Sequence, residues 1–307
     1  MQATAARTRP AVVSWAADVA ESLFATLFPA DCRICGEPLI RISRLPVCEV
    51  CLESMHPIAG GLCSICGERI VSAYALEGED IRCGICRRID QPFVKAAAYG
   101  SYESGLRDLI HMLKYQQVRP GANVLGRMLA EVIAELEVGW KPATVLVVPV
   151  PLFSAKLRQR GFNQAEMIAR MALKVNSERE KYSLAADVLE RSRETQSQIG
   201  LTRHQRRENL RGAFRVANRE KVAGREILLV DDVFTTGTTV SECARVLRRA
   251  GATRVWVATV ARTLKAEVQA VHFEPQDDAS LSMLWHQDEG VRLETPFAFV
   301  TIKSFQE

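Results

Sequence analysis

The sequence predicts an α/β protein in which a doubly wound parallel sheet carries helices on both faces and follows a small zinc-binding module. Two observations support this fold class. After residue 90, continuous apolar runs of strand length alternate with stretches whose apolar residues recur at helical spacing. Before residue 90 lie eight of the nine cysteines. Hydrophobic residues make up 48% of the 307 residues and charged residues 25%, which excludes a mostly disordered or fibrous chain.

The first predicted element is an amphipathic helix within residues 1–29. One helical face carries five apolar side chains: Val12, Trp15, Val19, Leu23 and Leu27. Asp18 and Glu21 interrupt this stretch, so it does not have the pattern of a signal peptide. Moreover, no apolar run reaches the roughly 18 to 20 residues that a membrane helix needs. We therefore expect a docking helix and no membrane insertion.

The cysteines form four CxxC pairs within residues 30–90. The pairs are Cys32/Cys35, Cys48/Cys51, Cys63/Cys66 and Cys83/Cys86. Two thiolates separated by two residues bind one zinc ion, and a second pair completes the tetrahedron. Four pairs therefore predict two zinc ions in a double zinc ribbon. Sequential pairing is the simplest arrangement, and interleaved pairing satisfies the same spacing.

Both predicted zinc ions are expected to be structural. All ligands are protein groups, which leaves no open coordination position for chemistry. Disulfides are the alternative interpretation, but nothing in the sequence indicates export and cytosolic thiols stay reduced. We therefore expect a cytoplasmic protein. The ninth cysteine, Cys243, falls at core spacing on a predicted helix and is expected to be a packed thiol.

The elements of the sheet follow in chain order. A short strand or ribbon and then a helix are predicted by "FVKAAAYGSYESGLRDLIHMLKYQQ", and a second helix by "ANVLGRMLAEVIAEL". Three further strands are predicted by "TVLVVPVPL", "EILLVDDV" and "TRVWVATVA", the first two of them buried on both faces. The helices between these strands are predicted by "GFNQAEMIARMALKV" and "TVSECARVLRRAG". Strands and helices thus alternate as in a parallel sheet.

Two predicted loops are expected to face one ligand, because ligands of doubly wound sheets lie beyond the carboxyl ends of the strands. Residues 149–161 follow one such end and residues 231–239 another. Thr239 and Glu242 have the spacing of a capping box, which predicts that a helix begins with Thr239 as its cap. Backbone amides in the turn before this helix would then bind an anion at the positive end of the helix dipole.

The residues of this turn suit a phosphate beside a sugar. Gly237 permits a close approach, and four hydroxyls suit a phosphate monoester: Thr235, Thr236, Thr238 and Thr239. Asp231 and Asp232 would repel that phosphate at contact, so they are expected to bind vicinal sugar hydroxyls or a magnesium ion. A ribose 5-phosphate satisfies both conditions. A P-loop is excluded, because the sequence has no GxxxxGK[ST] run.

The stretch "LLVDDVFTTGTT" resembles the signature of type I phosphoribosyltransferases, which bind phosphoribosyl pyrophosphate (PRPP) with magnesium. More closely, "VPVPLFSAKLRQRGFNQAE", "RSRETQSQIGLTRHQRRENLRGAF" and the cysteine-rich front resemble the ComF family, which includes ComFC and GntX-like proteins. The resemblance covers most of residues 30–262. It implies a double zinc ribbon at 30–90 and a Rossmann-like phosphoribosyltransferase domain at 91–263. Residues 264–307 are left as a C-terminal extension of unknown role.

The resemblance also implies roles for residues of the predicted loops. Asp231 and Asp232 hold the ribose hydroxyls. The 5-phosphate is bound by the turn, namely Thr235, Thr236, Gly237, Thr238 and Thr239. Residues 149–152 and the basic side chains after them correspond to the pyrophosphate side of the site. The resemblance therefore implies that this side includes Pro151, Lys156, Arg158 and Arg160. The arginine-rich residues 191–211 correspond to a mobile loop.

The first functional hypothesis is an enzyme that transfers the phosphoribosyl group to a nitrogen nucleophile, a pentosyl transfer that releases pyrophosphate. Its transition state resembles an oxocarbenium ion, so catalysis comes from holding the ribose and neutralising the pyrophosphate. The candidate catalytic residues are Asp231, Asp232, Arg193, Arg203 and Arg207. Each arginine has an alternative interpretation as part of a solvated helix face. No residue specifies the acceptor, which is expected to bind in a hood made by residues 96–136 and the ribbons.

The second hypothesis is a non-catalytic single-stranded DNA-binding protein, because the ComF resemblance links the chain to DNA uptake and to a partner in the competence machinery. Residues 188–215 contain seven arginines and three glutamates, a net charge of +4 that equals that of the whole chain. Phe162, Tyr115 and Phe214 are candidates for stacking on bases. Only 7% of the residues are aromatic, however, so the sequence has no visible excess of stacking side chains.

Overall fold

A computed structural model describes residues 30–39, 43–70, 81–141, 144–194 and 203–264. Within residues 203–210, the side chains of Arg203, His204, Arg206 and Arg207 are outside the description. The helix predicted in residues 1–29 lies outside the described residues, as does all of the C-terminal extension after Leu264.

Five parallel strands form the central sheet in the order β1-β7-β6-β2-β3. They are β1 Ala96–Ser101, β2 Val145–Pro149, β3 Tyr182–Leu184, β6 Glu226–Phe234 and β7 Arg254–Arg262. Every residue of β2 is buried, as its continuous apolar sequence predicts. Two short strands, β4 Leu189–Arg191 and β5 Phe214–Val216, form a separate antiparallel pair. The parallel sheet predicted from the sequence is therefore confirmed.

Helices cover both faces of this sheet. The described helices are α1 Glu49–Glu53, α2 Ser104–Tyr115, α3 Gly121–Glu137, α4 Ser154–Arg160, α5 Gln164–Val175, α6 Arg203–Leu210 and α7 Thr238–Arg249. Val145 and Val147 of β2 pack into the same core cluster as α2, α3 and α5, whereas Leu146 and Val148 pack with α7. This alternation follows from the two-residue period of a strand. Cys243 on α7 is fully buried, as predicted for a core thiol.

The cysteine-rich module covers the exposed edge of strand β1. Ile58 N donates to Tyr99 O at 2.7 Å, and Ala96 N donates to Ile65 O at 2.7 Å, so residues of the module use backbone groups along this edge. Cys32 and Cys51 belong to the core cluster of the α2–α3 face. Cys63, Cys66 and Cys86 belong to the cluster on the α7 face. The two halves of the module thus lie on opposite faces of the sheet.

Candidate functional site

The two loops that the sequence places around one ligand lie at the same edge of the sheet. Strands β2 and β6 are parallel neighbours, with Pro149 in register with Val230. Val150 N extends this pairing by donating to Val230 O at 2.8 Å. Asp231 and Asp232 follow directly, near the carboxyl end of β6. The loop after β2 therefore begins beside the acidic pair.

The turn after β6 is shaped by Gly237, which is the N-cap of α7 and has a left-handed φ of 75°. A Cβ atom at this position would lie 2.5 Å from Phe234 Cζ, so only glycine fits both the backbone angle and the space. Thr236 Oγ1 and Thr238 Oγ1 are hydrogen-bonded at 2.8 Å. The amides at the start of this 12-residue helix lie where the sequence predicts an anion site.

The predicted capping box is wrong. Helix α7 begins at Thr238, one residue before the predicted cap, and Gly237 caps it with no side-chain hydrogen bond. The Glu242 carboxylate accepts a hydrogen bond from Gly212 N through its Oε1 at 3.2 Å, and its Oε2 pairs with Arg245. The left-handed glycine thus caps the helix two residues before the predicted cap, and Glu242 connects the helix to the segment before β5.

A buried lysine contacts the acidic pair. Lys114 Nζ, at the end of α2, lies 2.7 Å from Asp232 Oδ2, and the two side chains are only 15% and 6% exposed. Burial opposes the charge on the amine, but the Asp232 carboxylate more than offsets it and raises the pKa of Lys114. Lys114 falls within the first helix predicted after the cysteines, but its place in the sequence does not assign it to the site. A lysine in the last turn of a helix usually interacts with the negative end of the helix dipole. Its position in the sequence therefore did not indicate a role in the site.

The second carboxylate, Asp231, differs in its electrostatic environment. Its Oδ1 accepts a hydrogen bond from Asp232 N at 2.9 Å. Burial, together with the neighbouring charge of Asp232, raises the pKa of Asp231 to about 8, although Lys114 acts in the opposite direction. The raised pKa favours the protonated form of Asp231 in the ligand-free protein, whereas the Asp232 side chain forms an ion pair with Lys114.

The basic residues after β2 lie on helix α4, which was not predicted from the sequence. Gly161, with a φ of 78°, ends α4, and Asn163 caps α5 by accepting from Ala165 N at 3.0 Å. Asn163 Nδ2 also donates to Val150 O at 3.0 Å, which ties the start of α5 to the loop beside the acidic pair. The side chains of Lys156 and Arg158 are exposed on α4.

Tyr115 and Arg160 form the rim of the same region. Tyr115 directly follows Lys114 in the chain and is 67% exposed. Arg160 places its Cζ atom 5.5 Å from the centre of this ring and hydrogen-bonds Gln164. Phe162 and Phe214, the other two stacking candidates, are buried. Of the three aromatic side chains predicted for stacking, Tyr115 is therefore the one that a base can reach.

The arginine-rich segment, expected as a mobile loop, contains strand β4 and helix α6 at its two ends. Arg193 Nη2 donates to the carbonyl oxygens of Asn209 and Arg211 at 2.9 and 3.1 Å, so this side chain holds the end of α6. Arg191 interacts electrostatically with Asp231. Burial lowers the pKa of its guanidinium, and the charge of Asp231 acts in the opposite direction. Arg203 and Arg207 lie on α6.

The eight cysteines form two tetrads that match the sequential pairing. In each tetrad the ligand atoms lie within 4.8 Å of one another, the members being Cys32, Cys35, Cys48 and Cys51 in one and Cys63, Cys66, Cys83 and Cys86 in the other. Neighbouring Sγ atoms lie 3.7 to 3.8 Å apart. Zinc–sulfur bonds of about 2.3 Å in a tetrahedron require a separation of roughly 3.8 Å, so the sulfur positions fit zinc.

Comparison with known proteins agrees with this architecture. Residues 23–90 match the double zinc ribbon domain, and residues 159–276 match the phosphoribosyl transferase domain. The DNA utilization protein YhgH of Escherichia coli (strain K12) is 31% identical over 237 residues, which cover 77% of this chain and 98% of that protein. Competence protein F of Haemophilus influenzae is 29% identical, covering 70% of this chain and 96% of its own length. Competence protein ComFC of Bacillus subtilis is 24% identical, covering 67% and 79%.

The chain belongs to the ComF family. This confirms the resemblance drawn from the cysteine pairs and from the stretch that holds the acidic pair. In this ComF protein, the zinc ribbon and the phosphoribosyltransferase-type sheet share core residues on both faces. No helix among the described residues is long and apolar enough to cross a membrane.

Proposed function

We propose that this ComF protein binds PRPP, or another phosphorylated ribose, at the carboxyl end of β6. One observation carries the proposal: Asp231 and Asp232 lie at the end of the strand from which the Gly237 turn leads into α7. The amides of that turn suit a phosphate, and the carboxyl groups suit the hydroxyls of the attached ribose. A single ligand that carries both a phosphate and ribose hydroxyls would therefore contact the whole segment from Asp231 to the start of α7.

The other residues of the site suit the remaining groups of PRPP. Lys156, Arg158 and Arg160 on α4 follow the strand next to the acidic pair and would bind the pyrophosphate. Arg191 is our first candidate for an additional positive charge near the ribose, with Arg193, Arg203 and Arg207 further along the same segment. Carboxylate oxygens are typical magnesium ligands, and because Asp232 is paired with Lys114, Asp231 is the better candidate for the ion.

The chemistry supported by this arrangement is pentosyl transfer. The bond between ribose C1 and the pyrophosphate oxygen would break as a nitrogen nucleophile forms a bond to C1 and loses its proton. The role of this chain is to fix the ribose by its hydroxyls and its 5-phosphate, and to hold positive charge near the leaving group. Magnesium, when bound, would add charge neutralisation of the pyrophosphate.

The decisive experiment is PRPP binding with magnesium, measured by titration calorimetry. We expect saturable, magnesium-dependent binding that is abolished in the double variant Asp231→Asn, Asp232→Asn. Asp187→Asn is the matched control, because Asp187 is an exposed aspartate that pairs with Lys221. Equal binding by the wild type and a folded double variant would refute the site. A pyrophosphate-release screen with bases and amines would then separate transfer from recognition alone.

A second candidate function, binding of single-stranded DNA, is favoured by the exposed Tyr115 ring with Arg160 beside it. Aromatic and cationic groups of this kind stack on bases and contact the backbone of a single strand. We expect affinity that falls steeply with salt and weakens in Tyr115→Ala and on neutralising Arg203, Arg206 and Arg207. Arg170→Gln on α5, where Arg170 pairs with Glu166, is the control. A flat salt response would exclude this function.

A further inference from the structure

The last residue of β7, Arg262, connects the second cysteine tetrad with the sheet. Its side chain is 3% exposed. Arg262 Nη2 donates to Glu68 Oε2 at 2.9 Å and lies 3.9 Å from Cys66 Sγ, while Nη1 donates to Cys66 O. One guanidinium therefore holds the backbone, the thiol and the neighbouring carboxylate of the Cys63–Cys66 knuckle.

The same guanidinium lies over the ring of Phe234. Arg262 Cζ is 4.5 Å from the centre of the Phe234 ring, and the two residues are in register on adjacent strands. The Phe234 ring in turn fills the space beneath Gly237, where a Cβ atom would lie 2.5 Å from the ring. Phe93 supports this ring edge-on, with centroids 6.3 Å apart. A continuous series of contacts thus runs from Cys66 through Arg262 and Phe234 to the backbone of Gly237.

The space beside these contacts is not filled by protein. A cavity of about 470 Å³ lies between the second ribbon and the turn, with Thr235 and Thr236 on one wall and Cys83 and Cys86 on the other. Arg262 and Phe234 border this cavity. Arg262 and Phe234 thus connect the ribbon with the turn along the border of this cavity.

We propose that Arg262 is a positioning residue through which the second zinc ribbon holds the Thr235–Thr239 turn in the shape that binds phosphate. The proposal rests on the proposed function for its ligand, but the turn's conformation can be measured without that ligand. A site of four thiolates around one divalent ion carries a net negative charge, which a buried guanidinium complements. The ribbon is thereby part of the anion site as well as a cover for the sheet.

The test compares Arg262→Met with Arg254→Met in the full-length, zinc-loaded protein. Arg254 is the matched control because it lies at the other end of β7, pairs with a carboxylate, Glu226, and sits over an aromatic ring, Trp256. Three quantities are measured: the zinc content, amide hydrogen exchange within residues 235–240, and PRPP affinity. The exchange measurement reports on the turn whether or not PRPP is a ligand.

For Arg262→Met we expect two retained zinc ions, exchange in the turn faster by about tenfold or more, and PRPP binding weaker by about tenfold. Arg254→Met should leave both the turn and the affinity unchanged, and Arg262→Lys, which keeps the charge, should recover part of the loss. Equal exchange in the turn of Arg262→Met and Arg254→Met would overturn the proposal.

Two further outcomes are also decisive. If the wild type does not bind PRPP, the proposed function fails, and the exchange comparison alone decides the role of Arg262. If Arg262→Met loses zinc or fails to fold, Glu68→Gln takes its place, because it removes the carboxylate partner of Arg262 and leaves the cysteines intact. Faster exchange confined to residues 235–240 in Glu68→Gln supports the proposal, and unchanged exchange overturns it.

Discussion

At the scale of single residues, the acidic pair is asymmetric. Asp232 forms an ion pair with Lys114 at 2.7 Å, whereas burial and the adjacent Asp232 charge raise the pKa of Asp231 to about 8. The two adjacent aspartates therefore have different electrostatic environments, although the sequence presents them as equivalent. This asymmetry has a measurable consequence for the stability of the ligand-free protein.

The pKa of Asp231 is raised from 3.8 to about 8 on folding, so the folded protein binds this proton more tightly than the unfolded chain. The contribution of Asp231 to the free energy of unfolding is therefore greatest below about pH 4 and decreases as the pH rises towards 8. We expect Asp231→Asn to increase the melting temperature more at pH 8 than at pH 5, without magnesium. Asp187, whose pKa is lowered by Lys221, gives the opposite sign, so Asp187→Asn should not stabilise the protein at either pH. A pH-independent effect of Asp231→Asn would contradict this assignment.

Lys114 is expected to be essential for stability as well as for the site. Replacing it with methionine leaves the Asp232 carboxylate buried without its partner, at a cost of roughly 3 to 5 kcal/mol. The control is Lys221→Met, which breaks an exposed pair with Asp187 and should cost about 1 kcal/mol or less. Urea unfolding of both variants gives the comparison. A similar loss of unfolding free energy in the two variants would mean that the Lys114–Asp232 pair is hydrated in solution.

At the scale of elements, the start of α7 depends on a glycine whose neighbours decide the cost of replacing it. Gly237 and Gly224 have nearly the same left-handed φ, 75° and 72°. A Cβ on Gly224 meets nothing within 4 Å, whereas one on Gly237 meets the Phe234 ring at 2.5 Å. Gly224→Ala should therefore lower the free energy of unfolding only by the cost of the left-handed backbone conformation, about 1 to 2 kcal/mol.

Gly237→Ala should lower the free energy of unfolding more than Gly224→Ala does, because the turn must move away from Phe234. Of the two variants, only Gly237→Ala should weaken PRPP binding. Thermal unfolding and calorimetric titration of the two variants test this expectation. Equal destabilisation would show that Phe234 moves aside without cost, and unchanged affinity would show that the amides of this turn do not bind the ligand.

The elements also show which parts of the site a sequence can predict. Strands β2, β6 and β7 were predicted from continuous apolar runs, and helices α2, α3, α5 and α7 from apolar residues at helical spacing, because each pattern extends over enough residues to be recognised. Strand β3 and helix α4 were missed because three and seven residues are too short to establish one. The acidic pair and the threonine turn are contiguous in sequence, so their motif was recognisable. Lys114 and Arg262 reach the site from distant segments and only the fold brings them there.

At the scale of the whole molecule, the two cysteine tetrads lie on different faces of the sheet. Cys32 and Cys51 pack with α2 and α3, and Cys66 and Cys86 pack in the cluster that contains α7. Since binding of structural zinc supplies folding energy, on the order of 10 kcal/mol per site, each ion stabilises the face on which its tetrad lies. The fold thus couples each metal site to a different set of helices.

This division predicts a reciprocal result for Cys48→Ser and Cys83→Ser, which replace one half-buried ligand in each tetrad. Each variant should lose one of the two zinc ions, measured by metal analysis. In Cys48→Ser, amide exchange should increase in α2 and α3, because these helices pack against the first tetrad. In Cys83→Ser it should increase in α7 and in the turn before it, and PRPP affinity should fall. Each variant is the control for the other, and identical exchange maps would mean that the ribbons act as one unit without a preferred face.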